Sequence, residues 1–148
     1  MLAAAAAAGL PIAIRNMPQS TRTAEEAAAA CGTSVGQIVK SLIFRKATSG
    51  EPVLLLVSGS NRVDQKAVPQ EIGEPLERMD AHAVRELTGF AIGGVAPVGS
   101  LAPLATFIDA DLLQYETIWA AAGAPYAVFE TTPQALEKAT GATIISLR

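Results

Sequence analysis

The fold of this chain is decided by two apolar segments, Ser41-Leu42-Ile43-Phe44-Arg45 and Pro52-Val53-Leu54-Leu55-Leu56-Val57-Ser58-Gly59. The residues between them include Ala47-Thr48-Ser49-Gly50, which is typical of a turn, so the sequence predicts a β-hairpin. The second segment is apolar at consecutive positions and not only at alternate ones. We therefore expect both of its faces to be covered and the strand to lie centrally in a sheet.

Helices are predicted from the residues at their ends. Thr23-Ala24-Glu25-Glu26 is a capping box that begins a helix running to Cys31, and Gly32 suits the left-handed position that follows. Capping and stop residues of the same kinds predict five further helices, at residues 2–8, 35–39, 64–72, 81–87 and 134–140.

Further strands are expected at residues 12–14, 90–95, 105–108, 117–122, 126–130 and 142–147. Strands and helices are mixed without strict alternation, and hairpins are expected. This order predicts an α+β domain with a mixed, curved β-sheet flanked by helices. A length of 148 residues suits one domain spanning residues 1–148.

Composition narrows the classes of function. The net charge is −3, yet residues 1–66 carry seven basic against four acidic side chains, so a local anion-binding face is possible alongside ordinary surface charge. One cysteine and one histidine leave no disulfide, cysteine cluster or zinc site, and we expect no metal and no cofactor. No segment reaches the roughly 20 apolar residues that span a bilayer, so we expect a cytoplasmic protein without membrane contact.

Lys40 stands out because it lies within the apolar segment Ile38-Val39-Lys40-Ser41-Leu42-Ile43-Phe44. Its stem could lie along the core with the ammonium in solvent, which is the ordinary arrangement. Alternatively, the ammonium could sit in a partly apolar cleft, where it would attract a phosphate or orient a carbonyl oxygen. The pattern alone leaves both open.

Residues 89–99 contain four glycines, which could expose backbone N–H groups to an anion or an ester carbonyl, or could simply form a bulged hairpin. They match neither a P-loop nor a dinucleotide-binding motif. Asp109 and Asp111 could bind a metal but are better explained as capping a turn. Cys31 and His82 do not suggest a nucleophilic pair. An enzyme with this sequence is therefore expected to polarise its substrate without a covalent intermediate.

Five segments, in this order, resemble the YbaK/EbsC family and the related editing domain of bacterial prolyl-tRNA synthetases. The similarity runs from about residue 10 to the C-terminus. The matching segments are Ser20-Thr21-Arg22-Thr23-Ala24-Glu25-Glu26-Ala27-Ala28, Ile38 to Phe44, Gly89 to Gly99 with Gly93-Gly94-x-x-Pro97, Ile108-Asp109, and Trp119-Ala120-Ala121-Ala122-Gly123.

The resemblance implies the barrel-like fold of the YbaK/prolyl-tRNA synthetase-associated domain. It also implies a deacylase that hydrolyses the ester between an amino acid and the 3′-terminal adenosine of the tRNA CCA end. An aminoacyl-tRNA synthetase is a further expected partner, and the oligomeric state is not predicted. The implied catalytic residues are Lys40, Gly93 and Gly94, and the implied substrate-binding residues are Thr21, Ser41, Pro97, Asp109, Ala122 and Gly123.

One departure from the family pattern concerns the substrate. Members that clear cysteinyl-tRNA carry Ser-Gly-Gly where this chain has Ala121-Ala122-Gly123. The change removes a hydroxyl and narrows the site, so another small amino acid, such as alanine or serine, becomes plausible, with tRNA-Pro as a candidate tRNA. The alternative function is a non-catalytic module that binds an aminoacyl-nucleotide or tRNA.

Overall fold

The computed structural model describes residues 13–17, 21, 23–90, 95–99, 104–123 and 127–147. Within these ranges the chain forms three α-helices, two 3₁₀-helices at Val35–Gln37 and Ala110–Gln114, and two β-sheets. The α-helices are α1 (Ala24–Cys31), α2 (Ala81–Thr88) and α3 (Pro133–Thr140). The strands are β1 (Arg15–Asn16), β2 (Val39–Lys46), β3 (Pro52–Ser58), β4 (Leu76–Arg78), β5 (Ala105–Asp109), β6 (Ile118–Ala121), β7 (Ala127–Thr131) and β8 (Thr143–Ile145).

The larger sheet has the strand order β4-β2-β3-β5-β8. β2 and β3 pair antiparallel, which confirms the predicted hairpin, and β3 occupies the centre as expected. The β3–β5 and β5–β8 pairs are parallel, so the sheet is mixed.

The smaller sheet has the order β1-β7-β6 and is antiparallel throughout. A parallel bridge joins Trp119 of this sheet to Ile38, the residue before β2. The α+β class with mixed strand directions is confirmed, but the expectation of a barrel-like sheet is wrong. In the described part of the chain the two sheets are linked by that isolated bridge and not by a continuous ladder, so no closed barrel forms.

Both faces of β3 are buried, because its side chains alternate between two apolar clusters. Leu54 and Leu56 pack with residues of α2, α3, β6 and β7, whereas Val53, Leu55 and Val57 pack with residues of β4, β5 and β8. All five side chains are at most 2% exposed. The run of apolar residues thus forms the hydrophobic centre of the sheet.

The capping and stop residues predicted for α1, α2 and α3 are confirmed. The capping box joins Thr23 and Glu26 reciprocally, and Gly32 follows α1 in the left-handed region. Asp80 caps α2 and Thr132 caps α3, with glycine in the left-handed region after each.

Three predicted elements differ from the structure. Residues 64–72 form no helix, because the Asp64 carboxylate accepts from the N–H groups of Lys66 and Ala67 in a local turn, and Pro69 follows. Residues 13 and 14 are not in a strand, which begins at Arg15. The segment predicted as a helix at 35–39 is a 3₁₀-helix that ends at Gln37 and leads into β2.

The helix predicted at residues 2–8 lies outside the described residues, as do residues 91–94 of the strand predicted at 90–95.

Candidate active site

A cavity of about 810 Å³ lies along one half of β2. Its wall is formed by residues of α1, the first 3₁₀-helix, β2, the loop after β3, the end of β4 and β6. This volume is within the usual range for sites that enclose a small ligand.

The cavity lies where β2 lacks a second neighbouring strand. β4 pairs with β2 only at Phe44–Lys46, which we call the paired end. Within the described ranges, Val39–Ile43 pair only with β3, and we call this part the open end. The open end lines the cavity over its whole length.

Lys40 lies at the open end, half-buried, and its Nζ donates to the backbone carbonyl of Asn61. Burial lowers the pKa of Lys40 below its ordinary value of 10.5, and the neighbouring Arg62 lowers it further. The carboxylates of Glu25 and Asp109 act in the opposite direction. Of the two arrangements that the sequence left open, the structure shows the ammonium in a cavity wall and bound to the backbone.

The residue that binds Lys40 is itself held by two carboxylates. Asn61 Nδ2 lies 2.8 Å from Asp109 Oδ2 and 2.6 Å from Asp111 Oδ2. Asp109 is 1% exposed, and it also accepts from the N–H of Ser58 at 3.1 Å and from that of Asp111 at 3.0 Å. The turn-capping interpretation of Asp109 is therefore confirmed, and its carboxylate joins the end of β3 to the second 3₁₀-helix.

Of the predicted substrate-binding residues, Thr21 and Ser41 line the cavity. Ser41 Oγ is buried and has no hydrogen-bond partner among the described residues. An unpaired buried hydroxyl costs about 1–3 kcal/mol, so Ser41 Oγ is a polar group that the described part of the protein leaves unsatisfied.

The remaining predicted residues are placed elsewhere or not described. Asp109 lies behind the cavity and reaches Lys40 through Asn61. Pro97 and Ala122 are buried, and neither they nor Gly123 belong to the cavity wall as far as it is described. Gly123 has φ +96° and lies against the ring of Phe90. Gly93 and Gly94 lie outside the described residues.

Sequence reasoning missed Asn61. Three of its hydrogen-bond partners, Lys40, Asp109 and Asp111, are 21, 48 and 50 positions away. A local signal was present only for Asp109 and Asp111, as two carboxylates directly after a strand. Nothing in the sequence around Asn61 indicates which residues it contacts.

Other reactive side chains lie apart from the cavity. His82 is exposed on α2 and lies 2.9 Å from the Glu86 carboxylate. Burial raises the pKa of the Cys31 thiol, which is the opposite of what a reactive thiolate requires. No group of three or more His, Cys, Asp or Glu residues in the described ranges could hold a metal ion. No described helix is long and apolar enough to cross a membrane.

Comparison with known proteins assigns the family. Residues 18–139 match the family described as the aminoacyl-tRNA editing domain. The chain is 34% identical to YwhH of Bacillus subtilis over 120 residues, which are 80% of this chain and 75% of that protein. It is 27% identical over 115 residues to EbsC of Enterococcus faecalis, a proposed Cys-tRNA(Pro)/Cys-tRNA(Cys) deacylase, with 77% and 70% of the two chains covered.

The fold agrees with that assignment. The crystal structure of a proposed trans-editing enzyme for prolyl-tRNA synthetase superposes with a TM-score of 0.91 and 47% identity. The match covers 99% of this chain and 93% of that one. The chain therefore belongs to the aminoacyl-tRNA editing domain family.

Proposed function

We propose that the protein is a trans-editing deacylase that hydrolyses the ester of a mischarged tRNA carrying a small amino acid, with tRNA-Pro as the candidate tRNA. The observation that carries this proposal is Lys40, a cation whose pKa burial has lowered, bound to the backbone in the wall of the cavity. The family and the similarity to a proposed partner enzyme of prolyl-tRNA synthetase support it.

In the proposed reaction, the Lys40 ammonium orients the terminal nucleotide and stabilises negative charge that develops at the ester. Such stabilisation is effective in a partly buried site, because fixed groups replace mobile water. A water molecule attacks the carbonyl carbon and releases a proton, or a substrate hydroxyl attacks first and water then hydrolyses the new ester that forms. The bond from that carbon to the ribose oxygen breaks, and the ribose oxygen takes a proton.

The charge around the cavity suits a tRNA end. Arg62 and Arg78 are exposed and belong to the cavity wall. Phosphates of a nucleic acid are bound by such side chains, and these contacts position the ligand without reading its sequence. A protein of net charge −3 can in this way bind tRNA locally.

The small-amino-acid part of the proposal is supported by the cavity wall next to the open end. Ala120 and Ala121 of β6 belong to this wall, so small residues without polar side-chain groups line it there. Ser41 adds a buried hydroxyl that has no hydrogen-bond partner in the described part of the chain. A pocket of this kind separates small side chains by about 1–3 kcal/mol per methylene, so partial overlap among alanine, serine and cysteine is expected.

The test is deacylation of tRNA-Pro charged with alanine, serine, cysteine or proline. Each amino acid on its own cognate tRNA serves as a control. We expect wild type to release a small amino acid faster than proline, and Lys40→Ala to lose about 100-fold or more in rate. Lys46→Ala is the matched control, because Lys46 lies on the same strand but outside the cavity wall. It should keep the wild-type rate.

Two results would contradict the proposal. Hydrolysis of none of these substrates by wild type, combined with saturable tRNA binding, would identify a non-catalytic binding module. A Lys40→Ala variant as active as wild type would remove Lys40 from the mechanism. Addition of prolyl-tRNA synthetase to each assay tests the proposed partner, since a synthetase-dependent rate would show that the two act together.

A further inference from the structure

The loop after β3 is built around Asn61, which uses both its backbone and its side chain. The Asn61 N–H donates to the Ser58 carbonyl at 2.9 Å, and its own carbonyl accepts from Lys40 Nζ. Its side-chain amide spans Asp109 and Asp111, at 2.8 and 2.6 Å. One residue thus connects the cavity cation to the second 3₁₀-helix.

We propose that Asn61 is a positioning residue, which fixes the Lys40 ammonium in the cavity wall because Asp109 and Asp111 hold its side-chain amide in place. The effect of Asn61 on the position of Lys40 does not depend on any catalytic activity. The inference about catalysis rests on the proposed deacylase function.

The chemistry of the side chain explains why an amide suits this position. A carboxylate only accepts hydrogen bonds, and an asparagine amide has two N–H donors, so one amide can satisfy an oxygen of each aspartate. Hydrogen bonds to ionised acceptors are stronger and shorter than neutral ones. Asp109 is almost fully buried, so Asn61 is held against a rigid part of the molecule and not against a mobile surface side chain.

Holding Lys40 through a carbonyl, and not directly through a carboxylate, has a chemical consequence. A direct ion pair would neutralise the ammonium and reduce its attraction for a substrate oxygen. The carbonyl fixes one N–H of Lys40 and leaves a net positive charge. The charged groups that act on Lys40 come from three elements: Glu25 of α1, Asp109 of β5 and Arg62 of the loop. These three side chains remain when Asn61 alone is changed, so such a variant removes the support of Lys40 without removing the charges that act on its pKa.

The first measurement is the NMR order parameter of the Lys40 Cε methylene group, with the signal assigned by its loss in Lys40→Ala. In wild type we expect an ordered side chain. In Asn61→Ala the order parameter should fall to that of Lys138, which is exposed on α3. Asp64→Ala, which alters the same loop beyond Asn61, should keep the wild-type value for Lys40.

An unchanged Lys40 order parameter in folded Asn61→Ala would overturn the proposal. If that variant does not fold, Asp111→Ala removes one of the two carboxylates that hold the amide. Asp111→Ala should lower the Lys40 order parameter by less than Asn61→Ala does. An unchanged value would again overturn the proposal. This measurement needs no substrate, so it decides the role of Asn61 even if wild type hydrolyses no mischarged tRNA.

The second measurement is the kinetics of deacylation per folded molecule. A misplaced catalytic group costs up to about 100-fold, so Asn61→Ala should lower kcat about 10- to 100-fold with a much smaller change in KM. Asp64→Ala should change neither. A purely structural role predicts less folded protein with unchanged kcat, and that result would contradict the proposal.

Discussion

The two ends of β2 carry the same kind of side chain in different surroundings. At the paired end, Lys46 lies 3.8 Å from the exposed carboxylate of Glu51, and Arg45 lies 2.9 Å from Glu77. At the open end, Lys40 is bound to a backbone carbonyl that two carboxylates hold indirectly. The exposed pair of Arg45 with Glu77 contributes little to stability. Lys46 is 17% exposed but lies outside the cavity wall, whereas Lys40 lies in that wall, where a partly buried cation can act on a ligand.

β4 thus divides β2 into two parts: the paired end, which contributes to stability, and the open end, which lines the cavity. β4 covers the outer edge of β2 at Phe44–Lys46 and stops there. The cavity wall includes the whole open end and, at the boundary, Phe44 and Arg78, but neither Arg45 nor Lys46. We expect changes at the paired end to alter stability and changes at the open end to alter chemistry, and the following predictions test this division.

The largest expected effect is on stability, at the strand that covers the paired end. Leu76 of β4 is 4% exposed and packs in the cluster with Phe44 and Leu55. Leu76→Ala should lower the free energy of unfolding by about 2–5 kcal/mol, because it leaves a cavity in the core. Urea denaturation measures this change, and kcat per folded molecule should stay at the wild-type value. A large fall in kcat without loss of stability would contradict the assignment of the paired end to stability alone.

The next effect is the pH dependence of deacylation, measured after subtraction of uncatalysed hydrolysis. The proposed mechanism needs protonated Lys40, and burial lowers its pKa, so the rate should fall on the alkaline side at a pH below 10.5. Unfolding does not explain this loss. Between the lowered pKa and 10.5 the folded protein binds fewer protons at Lys40 than the unfolded chain does, so this group's contribution to stability rises with pH.

Arg62→Ala tests whether the alkaline loss of rate comes from Lys40, because Arg62 lowers the pKa of Lys40. The alkaline limb should move to higher pH in this variant. A shift to lower pH, or a limb that lies above 10.5 in wild type, would contradict the assignment of the limb to Lys40.

A smaller effect is expected on tRNA binding at the cavity mouth. Arg62→Ala should raise KM several-fold and reduce the slope of log KM against log salt concentration by about 1, as expected for one lost phosphate contact. Arg45→Ala is the matched control, since Arg45 is an exposed arginine at the paired end that does not line the cavity. Equal changes in the two variants would indicate a general charge effect and not a local site.

The smallest expected effect is that of Ser41→Ala on stability. The substitution removes a buried hydroxyl that has no partner among the described residues, so the free energy of unfolding should stay constant or rise by up to about 1 kcal/mol. Ser146→Ala, at an exposed serine after β8 and outside the cavity wall, should leave the free energy of unfolding unchanged. Destabilisation by Ser41→Ala beyond about 1 kcal/mol would show a structural role.

The elements set by local chemistry could be predicted from the sequence. The β2–β3 hairpin follows from two apolar segments around a turn, and the start of α1 follows from Thr23 and Glu26, which are three positions apart. The failures have a local cause as well. Asp64 has the right chemistry for a helix cap, but its carboxylate closes a turn with Lys66 and Ala67, and the chain then reaches Pro69.

The site was predicted less completely, because its geometry depends on contacts between distant segments. Lys40 could be singled out, since a lysine within an apolar strand is unusual. Its binding partner could not, because only the packing of the loop after β3 against the second 3₁₀-helix brings Asn61 to Asp109. The open end was equally unpredictable, since it depends on the length of β4, a three-residue strand whose short apolar signal was missed.

The buried carboxylate of Asp109 also makes the site visible to amide hydrogen exchange. It accepts from the N–H groups of Ser58, the last residue of β3, and of Asp111, in the first turn of a 3₁₀-helix. Amides at such positions usually exchange quickly, because strand ends and first turns open easily. These two should exchange slowly for as long as Asp109 stays in place. Their protection factors would therefore report the integrity of the support behind Lys40 in any variant, with or without tRNA.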